Sequence, residues 1–133
     1  MNTISALPPL LLVAIGGGTG AMLRYLVGRW ALAAFGPGFP VGTLAVNLLG
    51  GLAMGLVVGM LARVNEGGEH LRLLIGVGVL GGFTTFSAFS LEMVNMVTRH
   101  QPGLAVAYAA ASVLGSMAAL FIGLWIVRGL GAV

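Results

Sequence analysis

Four long apolar stretches, separated only by short connections, decide what this chain can fold into. They cover about 7–35, 41–62, 71–97 and 104–127. Each is long enough to cross a hydrocarbon core, which takes about 20 helical residues. The connections are GPGFP at 36–40, RVNEGGEHLR at 63–72 and RHQPG at 99–103. Glycine and proline make the first a tight turn, and the proline of the third is placed to stop one helix and start the next. None has room for a soluble domain, so residues 1–133 read as one four-helix transmembrane unit. With 7% charged residues, 59% hydrophobic ones and a mean hydropathy of +1.08, the chain lies far from a soluble domain, where about 25% of residues are charged. The expectation is an all-α, multi-pass integral membrane protein. The N-terminal MNTISALPPLLLVAI has no basic leader region and is expected to be the retained start of the first helix.

The charges are six Arg and three Glu, with no Lys and no Asp. They form no basic cluster able to neutralise a run of phosphates, so no nucleic-acid partner is expected. Cysteine is absent, which excludes disulfides and thiolate metal sites. Orientation in a membrane follows the Arg and Lys bias of the loops. With the N-terminus in the cytoplasm, Arg63, Arg72 and Arg128 face that side, Arg29 and Arg99 face the other, and Arg24 lies deeper in the first stretch. So small a bias favours insertion both ways round and an antiparallel homodimer; the competing reading is one orientation fixed by features the count misses. Four short helices also make a poor pore alone. The 23 glycines recur at small-xxx-small spacing, as in Gly16/Gly20, Gly51/Gly55/Gly59 and Gly78/Gly82, which lets helices approach closely in lipid. The same spacing accounts for Gly16, Gly18 and Ala21, whose dinucleotide-site pattern lacks both a strand before it and an acid about 20 positions later.

Polar residues in the apolar stretches carry the functional signal. Asn47, near the centre of the second, either bonds a neighbouring helix or lines a pathway. Tyr108, Ser112 and Ser116 recur every fourth residue and draw one stripe down the fourth. In GGFTTFSAFS at 81–90 two glycines weaken the third helix near its middle, and Thr84, Thr85 and Ser87 offer hydroxyls to the freed backbone. Non-helical backbone at membrane depth is tolerated only inside protein or along a water-filled cavity, and such breaks bind ions. The stretch therefore reads as a broken helix at an ion site. Phe86 and Phe89 follow one turn apart; they either pack plainly or turn electropositive ring edges to an anion. Arg24 and Glu92 are charges within or near the membrane, and each reads as functional by default; Glu92 pairs with an Arg, carries a proton or sits in a vestibule, and the competing reading of Arg24 is a snorkelled or vestibule charge near the end of a long tilted helix.

Three segments, GGGTGAMLRY at 16–25, GTLAVNLLGG at 42–51 and GGFTTFSAFSLE at 81–92, make the chain resemble the Fluc-type (CrcB) fluoride channels over nearly its whole length. The resemblance implies a dual-topology antiparallel homodimer in a prokaryotic inner membrane, with two fluoride pores that passively export fluoride and confer resistance. It implies a fluoride pathway along Asn47, Phe86, Ser87, Phe89, Tyr108, Ser112 and Ser116, and vestibule charges at Arg24 and Glu92. It also implies one structural sodium ion on the dimer axis, held by backbone carbonyls of Gly81 and Thr84 from both copies, and no organic cofactor. The family pattern TTFSTF reads TTFSAF here, with Ala88 for a threonine that a helix starting near Phe86 would point away from the anion. Two other classes compete. A small proton-coupled multidrug exporter shares the architecture, but the first stretch has no acid. A non-transporting membrane assembly subunit would use the same polar spots only as helix glue. An enzyme is not expected, since His70 and His100 fall in connections with no nucleophile nearby.

Overall fold

The computed structural model describes residues 8–131. Leu7, where the first stretch was expected to begin, and the residues before it lie outside them. Four helical spans are long and apolar enough to cross a membrane: Pro9–Phe35, Val41–Leu61, Gly68–Thr98 and Pro102–Gly129. The first, second and fourth are single helices, α1 (Pro9–Phe35), α2 (Val41–Leu61) and α6 (Pro102–Gly129). The third begins with a short turn, α3 (Gly68–Leu71), widens into a π-helical coil over Arg72–Leu80 and closes with α4 (Gly81–Phe83). Thr84 and Thr85 are then extended, with ψ of 156° and 125°, before α5 (Phe86–Thr98).

Local chemistry sets these ends. Pro9 and Pro102 occupy the first helical turn of α1 and α6, where the missing N–H costs nothing. Gly36 ends α1 at φ 73°, returning its N–H to the Leu32 carbonyl. Gly67, at φ 80°, lets the third span start at Gly68, earlier than the sequence suggested. His70 is therefore in a helical turn rather than a connection. The Glu69–Arg72 ion pair at 2.8 Å, three positions apart and so neighbours on one helical side, supports this turn. His100 adopts φ 59° after α5, where Gln101 N–H reaches back to the Met96 carbonyl in a Schellman-type stop.

The spans pack through two glycine seams. A Cβ on Gly16 or Gly20 of α1 would overlap the Leu74 or Val79 carbonyl of the π-helical coil, and one on Gly82 would overlap the Gly17 carbonyl. In α2, a Cβ on Gly55 would overlap the Leu120 carbonyl, one on Gly51 would lie 2.7 Å from the Ser116 carbonyl, and one on Gly59 would press on Val127. Backbone thus meets backbone between α1 and the first half of the third span, and between α2 and α6. The Arg63 guanidinium donates to the Val127 carbonyl and satisfies the end of α6.

Candidate functional site

The third, glycine-rich sequence segment meets the other two at Thr84 and Thr85. With its N–H and carbonyl outside any helical ladder, Thr85 would be costly at membrane depth. Asn47 of α2 satisfies both groups: its Oδ1 accepts from Thr85 N–H at 2.8 Å, and its Nδ2 donates to the Thr85 carbonyl at 3.0 Å. Thr85 Oγ1 in turn accepts from Ala88 N–H at 3.2 Å and caps α5. Thr84 Oγ1 donates to the Leu80 carbonyl at 3.0 Å, as does Thr84 N–H. On the other flank, Arg24 Nε donates to the Gly82 carbonyl at 3.0 Å.

Beside this junction runs a groove of about 440 Å³ bounded by α2, α6 and the start of α5. Asn47, Thr85, Phe86, Phe89, Ser112 and Ser116 share its wall with Met54 and Met117. Phe86 is 77% exposed, while Phe89 is half-buried against Tyr108, with ring centroids 5.2 Å apart; the two phenylalanine rings are 5.5 Å apart. Ser112 is 6% exposed and its Oγ has no hydrogen-bond partner, an unpaired buried hydroxyl on a polar wall.

At the other side of Phe89, Glu92 accepts two hydrogen bonds of 2.6 Å, one from Tyr108 Oη and one from Thr43 Oγ1. Among the described residues the only ion pair is Glu69–Arg72, so Glu92 is held by hydroxyls and not by an arginine. Tyr108 is fully buried between Phe39 and Phe89. Glu92 and Thr43 line a hollow of about 340 Å³ at the end of the bundle, where Asn95, Arg99 and Gln101 also open. A chain of polar groups and rings therefore leads from that hollow past Phe89 to the groove.

Not every residue singled out in the sequence stands on this line. Ser87 is exposed, its Oγ 3.3 Å from Thr85 Oγ1, and it is not part of the groove wall. Gly81 is exposed at the end of the first half of the span, whereas Thr84 is half-buried and lines the groove. Arg24 faces a separate hollow of about 290 Å³ between α1, α2 and α5, whose wall also contains Ala88, Thr43 and Thr85. Ala88 thus turns away from the wall that carries Phe86 and Phe89. The sequence reading missed Thr43. Thr43 was findable, because it lies one turn before Asn47, on the same side of α2.

Comparison with known proteins bears on the whole chain. Residues 11–124 match the family described as CrcB-like protein, Camphor Resistance (CrcB). A Novosphingobium aromaticivorans protein named fluoride-specific ion channel FluC is 59% identical over 119 residues, 88% of this chain and 94% of that one. Relatives of the same name from Phenylobacterium zucineum and Sphingopyxis alaskensis are 56% and 52% identical over 120 residues, 90% of this chain and 94% and 95% of theirs.

Proposed function

This chain belongs to the CrcB family, and we infer from that membership that it is a fluoride-specific ion channel which passively exports fluoride from the cytoplasm and confers fluoride resistance. It is a multi-pass membrane protein and a channel, not an enzyme. One observation carries the reading furthest: segments distant in sequence bring Asn47, Thr85, Phe86, Phe89, Ser112 and Ser116 to one groove, in a chain more than half identical to channels of that name.

The groove chemistry suits a small anion that accepts hydrogen bonds strongly. Fluoride moving from the Glu92 hollow would meet the Tyr108 hydroxyl, then the edges of Phe89 and Phe86, then the unpaired Ser112 hydroxyl and Ser116. Hydroxyl donors and ring edges attract an anion without fixed positive charge, so it is held loosely enough to leave. Asn47 serves this wall by holding Thr85. Ser87, beside Thr85 Oγ1, is assigned to the polar mouth of the break.

The working unit is read as an antiparallel homodimer of dual topology in the prokaryotic inner membrane. The groove supports this reading. It is open along one side, and a wall bearing Asn47, Thr85, Ser112 and Ser116 is a poor surface for lipid, so a second copy is its natural cover. A structural sodium ion at the dimer axis would be held by the carbonyls of Gly81 and Thr84. These residues fit a hard cation: Gly81 lies in the last turn of the half-helix that ends at Phe83, at the negative end of its dipole, and Thr84 is the extended residue that follows, its carbonyl outside the helical ladder. The ion would neutralise the facing half-helix ends of two copies.

Growth tests the export reading. Cells lacking their own fluoride export and expressing this chain should grow at fluoride concentrations that arrest the parent strain. Equal arrest with the protein present in the membrane contradicts export.

A further inference from the structure

Arg24 is a charge in the membrane span, and among the described residues it has no acidic partner, since the one ion pair there is Glu69–Arg72. Such a charge is expensive at membrane depth and needs a compensating contact. Among the described residues its one hydrogen bond runs from Nε to the Gly82 carbonyl at 3.0 Å, linking residues 58 apart in sequence. That carbonyl belongs to the last turn before the extended Thr84 and Thr85. A half-helix end carries partial negative charge, so the guanidinium compensates it while its own charge is compensated.

The contact is built in. Gly16, Gly20 and Arg24 recur every fourth residue along one side of α1. The two glycines seat α1 directly on the Leu74 and Val79 carbonyls, and one turn further on the same side delivers Arg24 to Gly82. The approach leaves no slack, because a Cβ on Gly82 would overlap the Gly17 carbonyl. On the opposite flank Asn47 holds Thr85 through two bonds. The extended stretch is thus fixed on one side from α1 and on the other from α2.

We propose that Arg24 is a positioning residue: by bonding the Gly82 carbonyl it fixes where the first half of the third span ends, and with it the aim of Thr84, Thr85 and Phe86 at the groove. It acts through backbone geometry and not as a charge that gathers fluoride at the mouth. The inference rests on the fluoride-channel reading.

Single-channel recording of the purified, reconstituted full chain separates the two roles, since current per channel does not depend on how much protein folds. Arg24→Gln and Arg24→Lys are compared with the unmodified chain at low and at saturating fluoride. Lysine keeps the charge but loses the planar Nε donor. The expected result is a fall in unitary fluoride current of roughly tenfold in both variants, equal at both concentrations, as one charged hydrogen bond is worth about that factor. Should Arg24→Gln fail to assemble, Arg24→Lys alone decides. Full current in Arg24→Lys, a deficit that disappears at saturating fluoride, or normal unitary current from fewer channels would each overturn the inference. Absence of fluoride current from the unmodified chain would instead overturn the channel reading itself.

Discussion

Asn47 and Tyr108 show how much rests on single side chains. In Asn47→Leu both the N–H and the carbonyl of Thr85 lose their partner, and each unpaired buried group costs about 1–3 kcal/mol. The expected outcome is a less heat-stable protein and fluoride efflux lowered roughly a hundredfold, with Asn47→Asp intermediate because it keeps the acceptor for Thr85 N–H. Liposome flux beside thermal melting in detergent checks both. Tyr108→Phe keeps the ring against Phe39 and Phe89 but removes the donor to Glu92, which keeps Thr43, so efflux should fall roughly tenfold and the melting temperature should drop less than in Asn47→Leu. The roles of these residues were legible only in part. An amide in an apolar helix announces that it needs a partner; nothing in the sequence says that the partner is the backbone of Thr85, 38 positions away. Likewise Glu92 announced a need for compensation, but the apolar pattern around it could not say that two hydroxyls from different helices would supply it.

Glycine does the corresponding work for whole elements. Gly16, Gly20, Gly51 and Gly55 are the points where two helices touch backbone to backbone, so Gly20→Ala or Gly55→Leu should disrupt packing and reduce recovery of folded protein. Gly18 faces open space, and Gly18→Ala should be tolerated or gain up to about 1 kcal/mol from better helix propensity. Size-exclusion profiles of the three variants give the comparison. The spacing in the sequence was enough to find these seams, because four-residue periodicity maps directly onto a helix side. The π-helical winding of Arg72–Leu80 was not legible. After Arg72 the segment LLIGVGVL is apolar throughout, so its pattern is the same whichever way the coil is wound; α1 packs against this coil at Leu74 and Val79.

For the molecule as a whole, the exposed surface matters most. Each span buries only about a fifth of its central window inside the chain, from 17% to 22%. The exposed part of what remains faces lipid or a second copy, and the polar groove wall argues for the copy. Light scattering in detergent should therefore return a protein mass of twice 13.5 kDa, and a monomer would contradict the shared pathway. Four spans could be read from length and hydropathy, whereas which wall a second copy would cover leaves no periodic mark in one sequence. The central claim, selective passage of fluoride, is tested most directly by anion release from liposomes. Vesicles containing the purified chain and loaded with potassium fluoride or potassium chloride are given valinomycin, and each anion is followed with its own electrode. Fluoride should leave within seconds while chloride stays behind. Retention of fluoride by vesicles carrying assembled protein, or equal release of both anions, would contradict the account.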